Sequence, residues 1–319
     1  MYCLVTTFNK SFDEIWLIYY VPDFLSHELK IGNIVEVPYW KDIEIALVLQ
    51  LDINIWDINE DKIKSLISIK NNNIFLQDYQ IQLLPWLASY YFTPIHSAAS
   101  LFFPRNLLDK IKKDKVENFI TKSDYNYTFN QEILFSVAQE KAYNNIINSE
   151  NKKVLLYGIT WSWKTELYIK LIQQQLKNNK QSLLLIPEII LSNQVSTKIK
   201  DVFWEDVLII NSTVSQAKRT SYWMDIFTGK AKIIIWTRSA LFYPFNDLWT
   251  IIVDEEHDNS YISDQSPRFH SLDLVNQLSD KLDIPLVLAS GTPSVTSMYK
   301  SVKWEYKQVT LLEKYKRPE

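Results

Sequence analysis

Short apolar segments alternate with helical segments along the second half of the chain, and this pattern constrains the fold most strongly. From about residue 131, six runs have the length and composition of buried strands: Val154–Tyr157, Ser182–Ile186, Val207–Ile210, Lys232–Ile235, Thr250–Val253 and Leu286–Ala289. Helical patterns separate them, at Lys164–Leu176, Glu188–Ile199, Thr213–Phe227 and His270–Lys281. Strands joined through helices favour parallel pairing. The sequence therefore predicts an α/β fold, a parallel sheet flanked by helices.

The first 97 residues are predicted to form a small β-rich domain. Apolar or alternating runs recur between turn residues, at Ile15–Tyr20, Asn33–Val37 and Glu44–Leu49. A lysine-rich stretch follows, and we interpret residues 98–130 as a helix or a linker. The α/β domain then covers 131–319, and Ser136 and Gln139 have capping-box spacing before its first helix.

Composition excludes several classes of protein. The single cysteine, Cys3, rules out a disulfide framework and a cysteine-rich zinc module within the chain. The chain contains no apolar run of about 18 residues and no secretory signal, so we expect a cytoplasmic protein without a membrane partner. A net charge of −3 gives the whole chain no general attraction to polyanions.

The segment from Gly158 to Thr165 follows a predicted strand and begins a predicted helix, which is the context of a phosphate-binding loop. Such loops wrap phosphates with backbone N–H groups, place a lysine on the β- and γ-phosphates and a hydroxyl on Mg²⁺. Lys164 and Thr165 fit these roles. Trp163 occupies a glycine position, where an indole clashes with a nucleotide. The alternative is a strand–turn–helix with an accidental Lys-Thr pair.

Acidic residues follow another apolar strand, at Asp254, Glu255 and Glu256, and His257 comes next. In motor ATPases, carboxylates in this place organise Mg²⁺ and activate water. We assign the metal to Asp254, the water to Glu255 and a link to the nucleic acid to His257. The alternative is an acidic helix N-terminus, which the helix macrodipole favours.

Two further loops follow apolar strands and carry hydroxyl or basic side chains. The loop Ser290–Ser294 includes Ser290 and Thr292, and in helicases a loop of this kind couples hydrolysis to strand movement. The segment Trp236–Phe242 includes Arg238, which suits contact with a DNA backbone. Taken singly, an ordinary turn and a solvated loop are the better interpretations.

Together these segments closely resemble the replication-restart helicases, the primosomal protein N′ family. The matching segments occur in the family's order: Gly158–Glu166, Pro187–Ile189, Trp236–Phe242, Asp254–Tyr261, Pro267–Asp273 and Ser290–Ser294. The resemblance covers about residues 131–312, and it extends more weakly to Gly32–Pro38 and Leu84–Tyr91. It implies that the β-rich domain recognises the 3′ end of a leading strand at a stalled fork.

The resemblance also implies an ATP-driven 3′–5′ DNA helicase that uses ATP and Mg²⁺ and assembles with single-strand DNA-binding protein and primosome proteins. Lys164 joins the hydrolytic pair Asp254 and Glu255, and Thr165 shares the magnesium with Asp254. The implied nucleotide-binding residues are Gly158, Thr160, Trp161, Ser162, Trp163, Lys164, Thr165 and Gln139. The residues implied on the DNA side or in coupling are Arg238, His257, Arg268, Ser290 and Thr292.

Three departures from the family bear on activity. The chain lacks the family's zinc module and its second motor lobe with an arginine finger, so we expect this fragment to hydrolyse ATP weakly or not at all. The segment 98–130 is too short for a winged helix. Residues 1–97 carry 6 lysines and 12 acidic residues, a net −6 that suits end recognition better than broad backbone binding. The alternatives are a DNA-end-binding pseudo-ATPase and a related DNA translocase subunit.

Tryptophan is abundant where the family has glycine. The chain has 11 Trp and 4 Gly, whereas about 22 Gly are usual at this length. The tryptophans at family glycine positions are Trp40, Trp161, Trp163, Trp204, Trp236, Trp249 and Trp304. Random substitution does not place the largest residue repeatedly where the smallest is needed. We therefore predict that UGA codons encode glycine in this gene, so that the translated protein carries glycine at these positions.

Overall fold

The computed structural model describes residues 1–8, 17–55, 59–116, 133–159, 163–187, 194–203, 207–210, 214–236 and 238–313. Contacts divide the chain into two compact units. The first contains Met1–Ile120, Ser215–Met224 and Phe242–Pro244. The second contains Thr121–Val214, Asp225–Leu241 and Phe245–Glu319. Within the described ranges, no helix is long and apolar enough to cross a membrane.

The first unit is built on an antiparallel sheet of five strands, as the sequence predicts for a β-rich domain. The strands are β1 (Tyr2–Thr7), β2 (Leu17–Tyr20), β3 (Asn33–Tyr39), β4 (Asp42–Leu51) and β5 (Ser68–Phe75). Their order in the sheet is β2-β1-β4-β3-β5. Alternate side chains such as Val5, Val35 and Val48 form a buried cluster on one face. Strands β1 and β5 were not predicted from the sequence.

Four helices accompany this sheet in sequence: α1 (Asp23–Ser26), α2 (Asp78–Tyr90), α3 (Ile95–Ser100) and α4 (Arg105–Lys112). The lysine-rich segment, predicted as a helix or a linker, contains α4, and Leu107 and Ile111 bury one face of it. The rest of that segment, residues 117–130, lies outside the described residues.

The second unit contains a seven-stranded sheet in which every described pairing is parallel. Its strands are β6 (Lys153–Gly158), β7 (Gln181–Leu185), β8 (Val207–Ile210), β9 (Ile233–Trp236), β10 (Leu248–Val253), β13 (Leu286–Ser290) and β14 (Lys307–Leu311). A small antiparallel pair, β11 (Ile262–Ser263) and β12 (Phe269–His270), lies between β10 and β13 in the chain. The order in the large sheet is β14-β6-β13-β10-β7-β9-β8. The predicted α/β fold class is confirmed.

Helices alternate with these strands: α5 (Val137–Ile147), α6 (Lys164–Lys177), α7 (Gln194–Phe203), α8 (Gln216–Phe227), α9 (Ser271–Leu282) and α10 (Val295–Val302). The predicted capping box is present at the start of α5. Ser136 Oγ accepts from the Gln139 N–H at 3.2 Å, and Gln139 Oε1 accepts from the Ser136 N–H at 2.9 Å. The predicted helices began earlier than α7 and α8, and their first residues, 188–193 and 213, lie outside the described residues.

Several tryptophans have a backbone conformation that favours glycine. Nine non-glycine residues within the described ranges have positive φ, and three of them are Trp40 (53°), Trp163 (56°) and Trp304 (63°). A large side chain rarely adopts this region, whereas glycine enters it freely. The conformation supports the prediction that these positions carry glycine.

Candidate active site

Three neighbouring strands of the parallel sheet end at the candidate site. Gly158 ends β6, Asp254 directly follows β10, and Ser290 ends β13, which lies between the other two strands. The carboxyl ends of parallel strands meet at one edge of a sheet, where ligands of open α/β folds bind. The fold therefore brings three of the predicted motifs to one place.

Lys164 and Glu255 lie together at this edge. The Lys164 ammonium donates to the Gly158 carbonyl at 2.9 Å and lies 3.4 Å from Glu255 Oε1. Lys164 is also the first residue of α6, and a helix N-terminus favours a bound anion. Thr165 follows it and is half-buried. The lysine predicted to bind phosphate and the carboxylate predicted to activate water therefore lie side by side.

Asp254 is buried, with 5% of its surface exposed. The Tyr168 hydroxyl donates to Asp254 Oδ1 at 2.7 Å, and the Tyr261 hydroxyl donates to the Asp254 main-chain carbonyl at 2.6 Å. Burial raises the pKa of the Asp254 carboxyl to about 6, although the Tyr168 hydrogen bond and Lys164 oppose the rise. Sequence reasoning found Asp254 and missed Tyr168, which has no motif of its own. Tyr261 ends the matching segment Asp254–Tyr261, but its contact with Asp254 was not predicted.

Glu255 has a strained backbone, with φ of 43°. Its Oε2 accepts from the Gly291 N–H at 3.4 Å and from the Ser290 hydroxyl at 3.5 Å. These contacts join the acidic motif to the hydroxyl loop that follows β13.

His257 completes that connection. Its Nδ1 is hydrogen-bonded to Ser290 Oγ at 2.7 Å, and its Nε2 lies 3.4 Å from Thr292 Oγ1. The same Nδ1 is 3.6 Å from Glu255 Oε2. The structure thus brings Glu255, predicted to activate water, together with His257, Ser290 and Thr292, three of the residues predicted on the DNA side or in coupling.

Glu256 belongs to the predicted acidic motif, but the sequence assigned it no role. It is 1% exposed and accepts three hydrogen bonds from the start of α10. The donors are the Ser294 N–H at 2.6 Å, the Ser294 hydroxyl at 3.1 Å and the Ser297 hydroxyl at 2.9 Å. The signal in the sequence is the pair of serines three residues apart after an apolar strand, which is typical of a helix start.

Gln139 and Trp163 lie at the start of α6. Gln139 Nε2 donates to the Trp163 carbonyl at 3.3 Å, which places this implied nucleotide-binding residue beside the predicted phosphate loop. The Trp163 side chain is 41% exposed, and the Lys198 ammonium lies 4.2 Å from the centroid of its ring. The predicted loop residues Thr160, Trp161 and Ser162 lie outside the described residues.

Arg238 and Arg268, predicted on the DNA side, are placed near the β11–β12 pair. The Arg238 guanidinium donates to the Ile262 carbonyl at the start of β11. Arg268 is exposed in the loop that joins β11 to β12. Arg238 thus holds one end of the loop in which Arg268 lies.

The first unit contains a separate pocket of about 450 Å³. Its lining combines three aromatic side chains with three cations: Tyr19, Tyr39, Trp40, Lys41, Lys62 and Lys64. Lys64 donates to the Trp40 carbonyl at 3.3 Å. Aromatic faces and ammonium groups are the chemistry with which proteins hold a single-stranded nucleic acid.

The side chains at the strand ends fit a magnesium-bound triphosphate. Mg²⁺ in phosphate sites is held by one or two carboxylates or hydroxyls together with the phosphates, and Asp254 and Thr165 are such donors. Lys164 would supply the cation for the phosphates. Trp163 does not fit, because this position of a phosphate loop requires close approach of backbone to ligand.

Comparison with known proteins agrees with this geometry. Residues 136–300 match the family model of the DEAD/DEAH box helicases, and the chain belongs to that family. Residues 7–104 match the model "3'DNA-binding domain (3'BD)".

The chain is similar to proteins described as replication restart protein PriA. It is 33% identical to the one from Rickettsia conorii over 94% of this chain and 44% of that protein. It is 33% identical to the one from Helicobacter pylori over 85% of this chain and 40% of that protein. The chain thus spans less than half the length of these relatives, and its resemblance to the replication-restart helicases is confirmed. Among solved structures, the Pyrococcus furiosus Hef helicase domain has a TM-score of 0.43 at 16% identity, over 56% of this chain and 38% of that one.

Proposed function

We propose that the chain is the ATP-binding and DNA-end-binding part of a cytoplasmic 3′–5′ DNA helicase that acts in replication restart. The observation that carries this proposal is the cluster of Lys164, Asp254 and Glu255 where three parallel strands end. The similarity to replication restart proteins supports the DNA substrate. By resemblance, the partners are forked DNA, single-strand DNA-binding protein and primosome proteins.

In this proposal each residue of the cluster has one task. Lys164 neutralises the β- and γ-phosphate charge, and Thr165 and Asp254 hold the magnesium. Glu255 polarises the attacking water. His257 is hydrogen-bonded to Ser290 and lies close to Thr292. Through these contacts the three residues transmit a conformational change at Glu255 toward the DNA side. Mg·ATP supplies the reactive phosphoryl group and the free energy for movement.

Glycine at positions 161, 163 and 236 is part of the same proposal. The left-handed backbone at Trp163 supports it, since a glycine there removes both the strain and the indole. Thr160 and Ser162 then contribute backbone N–H groups to the phosphates, as the motif implies.

Binding of a fluorescent ATP analogue with Mg²⁺ tests the nucleotide site. We expect the triple variant W161G/W163G/W236G to bind at least tenfold more tightly than the sequence as written, because the bulky loop side chains are gone. Adding K164A to the triple variant should abolish the gain, and K303A, an exposed lysine elsewhere in the second unit, should leave it. If neither the triple variant nor the sequence as written binds the analogue, the ATPase proposal is contradicted and the pseudo-ATPase alternative remains.

We further propose that the pocket of the first unit binds the 3′ end of DNA. Its three lysines and its two tyrosines, Tyr19 and Tyr39, support this, as does the match to a 3′ DNA-binding domain. Fluorescence anisotropy with oligonucleotides that have a free 3′ end or a bulky blocking group at the 3′ end is the test. We expect the free end to bind more tightly, because a pocket of about 450 Å³ admits an unblocked end. K62A should weaken binding of the free end and so reduce the difference, whereas K110A, outside the pocket, should keep it. Equal affinity for both ends in the unmodified chain contradicts end recognition.

A further inference from the structure

Two buried tyrosines hold Asp254, and the mechanism above uses neither of them. Tyr168 is 0% exposed and Tyr261 is 1% exposed. Tyr168 reaches the carboxylate oxygen Oδ1, whereas Tyr261 reaches the main-chain carbonyl of the same residue. Asp254 is therefore fixed at its side chain and at its backbone by separate hydroxyl groups.

Tyr168 lies on the helix that begins with the phosphate lysine. Residues four apart share one face of a helix, so Lys164 and Tyr168 point to the same side of α6. The helix that carries the phosphate lysine and the magnesium threonine thus also sets the orientation of the magnesium carboxylate. This arrangement fixes the groups meant for the phosphates and for the metal relative to one another.

A structural role alone does not require a hydroxyl at this position. Phenylalanine fills the same space, and burying a hydroxyl costs free energy unless it is hydrogen-bonded. A charge-assisted bond of 2.7 Å to a carboxylate is strong and directional.

We propose that Tyr168 is a positioning residue for the magnesium carboxylate, whose hydroxyl fixes Asp254 in the orientation that meets a metal bound beside Lys164 and Thr165. This inference rests on the proposed function. It predicts that removing the Tyr168 hydroxyl weakens only the magnesium-dependent binding of nucleotide. Tyr168 acts through Asp254 and contributes nothing to the binding of nucleotide without metal.

The test compares nucleotide affinity with Mg²⁺ and with EDTA in the full chain carrying W161G/W163G/W236G. In this parent we expect Mg²⁺ to tighten binding of the fluorescent ATP analogue. Y168F should reduce that enhancement by about tenfold, the usual effect of removing a group that orients a metal ligand. Its affinity without metal should stay within about twofold of the parent, since Lys164 is untouched.

Tyr306 provides a matched control in the same unit. It is also a buried tyrosine, 3% exposed, and its hydroxyl donates to Asn276 Oδ1 at 3.0 Å. Y306F removes a comparable hydrogen bond away from the site, so it should keep the full magnesium enhancement. A double-mutant cycle adds a second signature: once D254N has removed the carboxylate, Y168F should have no further effect on the enhancement.

A spectroscopic measurement retains the hydroxyl and so avoids loss of the fold. Tyr168→3-fluorotyrosine gives a ¹⁹F resonance that should move when Mg²⁺ is added to the ATP complex and stay in place with EDTA. Full magnesium enhancement in Y168F, or a resonance indifferent to the metal, overturns the positioning role while the nucleotide site stands. Absence of nucleotide binding in the parent overturns the proposed function and this inference with it.

Discussion

At the scale of single residues, backbone conformation costs free energy at Trp40, Trp163 and Trp304. A left-handed conformation costs an L-residue about 1–2 kcal/mol, because the Cβ atom crowds the following carbonyl oxygen. Trp40 and Trp304 are also largely exposed, so their side chains gain little from burial in return. The left-handed conformation at these positions is explained if the translated protein has glycine there.

Replacement by glycine should therefore stabilise the chain at these two positions. We expect W40G and W304G each to raise the free energy of unfolding by about 1 kcal/mol, since the relief of strain exceeds the entropy cost of glycine. Urea unfolding followed by circular dichroism measures it. The control is W249G, because Trp249 lies in β10 and does not have positive φ. This change should lower the free energy of unfolding by about 0.5–1 kcal/mol. Destabilisation by all three changes contradicts the glycine interpretation at 40 and 304.

The buried thiol of Cys3 makes a second prediction at this scale. Burial raises the pKa of Cys3 to about 12, and the side chain is 0% exposed in β1. The folded chain should resist a thiol reagent at pH 8, and the denatured chain should react with one equivalent at once. Because the folded-state pKa is the higher one, the contribution of Cys3 to stability is complete below about pH 8.5 and declines above it. Rapid labelling of the folded chain contradicts this burial.

At the scale of elements, local pattern was a reliable guide where burial was continuous. All six strands predicted after residue 131 are present, because parallel strands buried on both faces are nearly uninterrupted apolar runs. The sequence did not predict β14 or α10. β14 alternates buried and exposed residues, and α10 has exposed apolar residues, Val295, Tyr299 and Val302, so neither has the expected pattern.

The start of α10 depends on Glu256, an interaction between segments that are distant in the sequence. Ser294 is its N-cap and Ser297 lies in its first turn, and both donate to the Glu256 carboxylate. Local pattern shows the serines but not their buried acceptor. Tyr168 was missed for the same reason, since its partner is 86 residues away along the chain.

We expect E256A to lower the free energy of unfolding by about 2–3 kcal/mol, because it leaves the buried Ser297 hydroxyl and two part-buried donors of Ser294 without their acceptor. E256Q should recover part of the loss, since its amide oxygen still accepts. E305A, an exposed acid after the same helix, should stay within about 0.5 kcal/mol of the parent. Thermal and urea unfolding measure all three variants. If E256A lowers the free energy of unfolding no more than E305A does, the Glu256 carboxylate does not stabilise the start of α10.

At the scale of the whole molecule, sequence supplied the fold class and the motifs, and folding supplied the connections between them. Gly158, Asp254 and Ser290 were predicted separately, and the order of β6, β13 and β10 in the sheet places them side by side. The hydrogen bonds from His257 to Ser290 and from Tyr168 to Asp254 depend on that order. No local pattern encodes the order of strands in a sheet, so these connections could not be predicted.

Charge distribution makes the last prediction, on the salt dependence of DNA-end binding. Residues 1–97 have a net charge of −6, so the attraction of this part of the chain for DNA has to be local. The pocket holds Lys41, Lys62 and Lys64. Neutralising about three phosphates of a single strand gives a slope of log K against log salt near −2. Affinity for a 3′-ended oligonucleotide should therefore fall about fifteen- to twentyfold between 50 and 200 mM salt.

Two variants test whether the lysines of the pocket cause that salt dependence. K62A should reduce its magnitude by about 0.7, because one fewer counterion contact is made. K110A lies in α4 and outside the pocket lining, so it should leave the slope unchanged. A slope steeper than about −4 requires six or more phosphate contacts, twice what three lysines provide. That result would show that DNA binds along a broader surface, whereas a slope near −2 that responds to K62A alone fits binding of a strand end in the pocket.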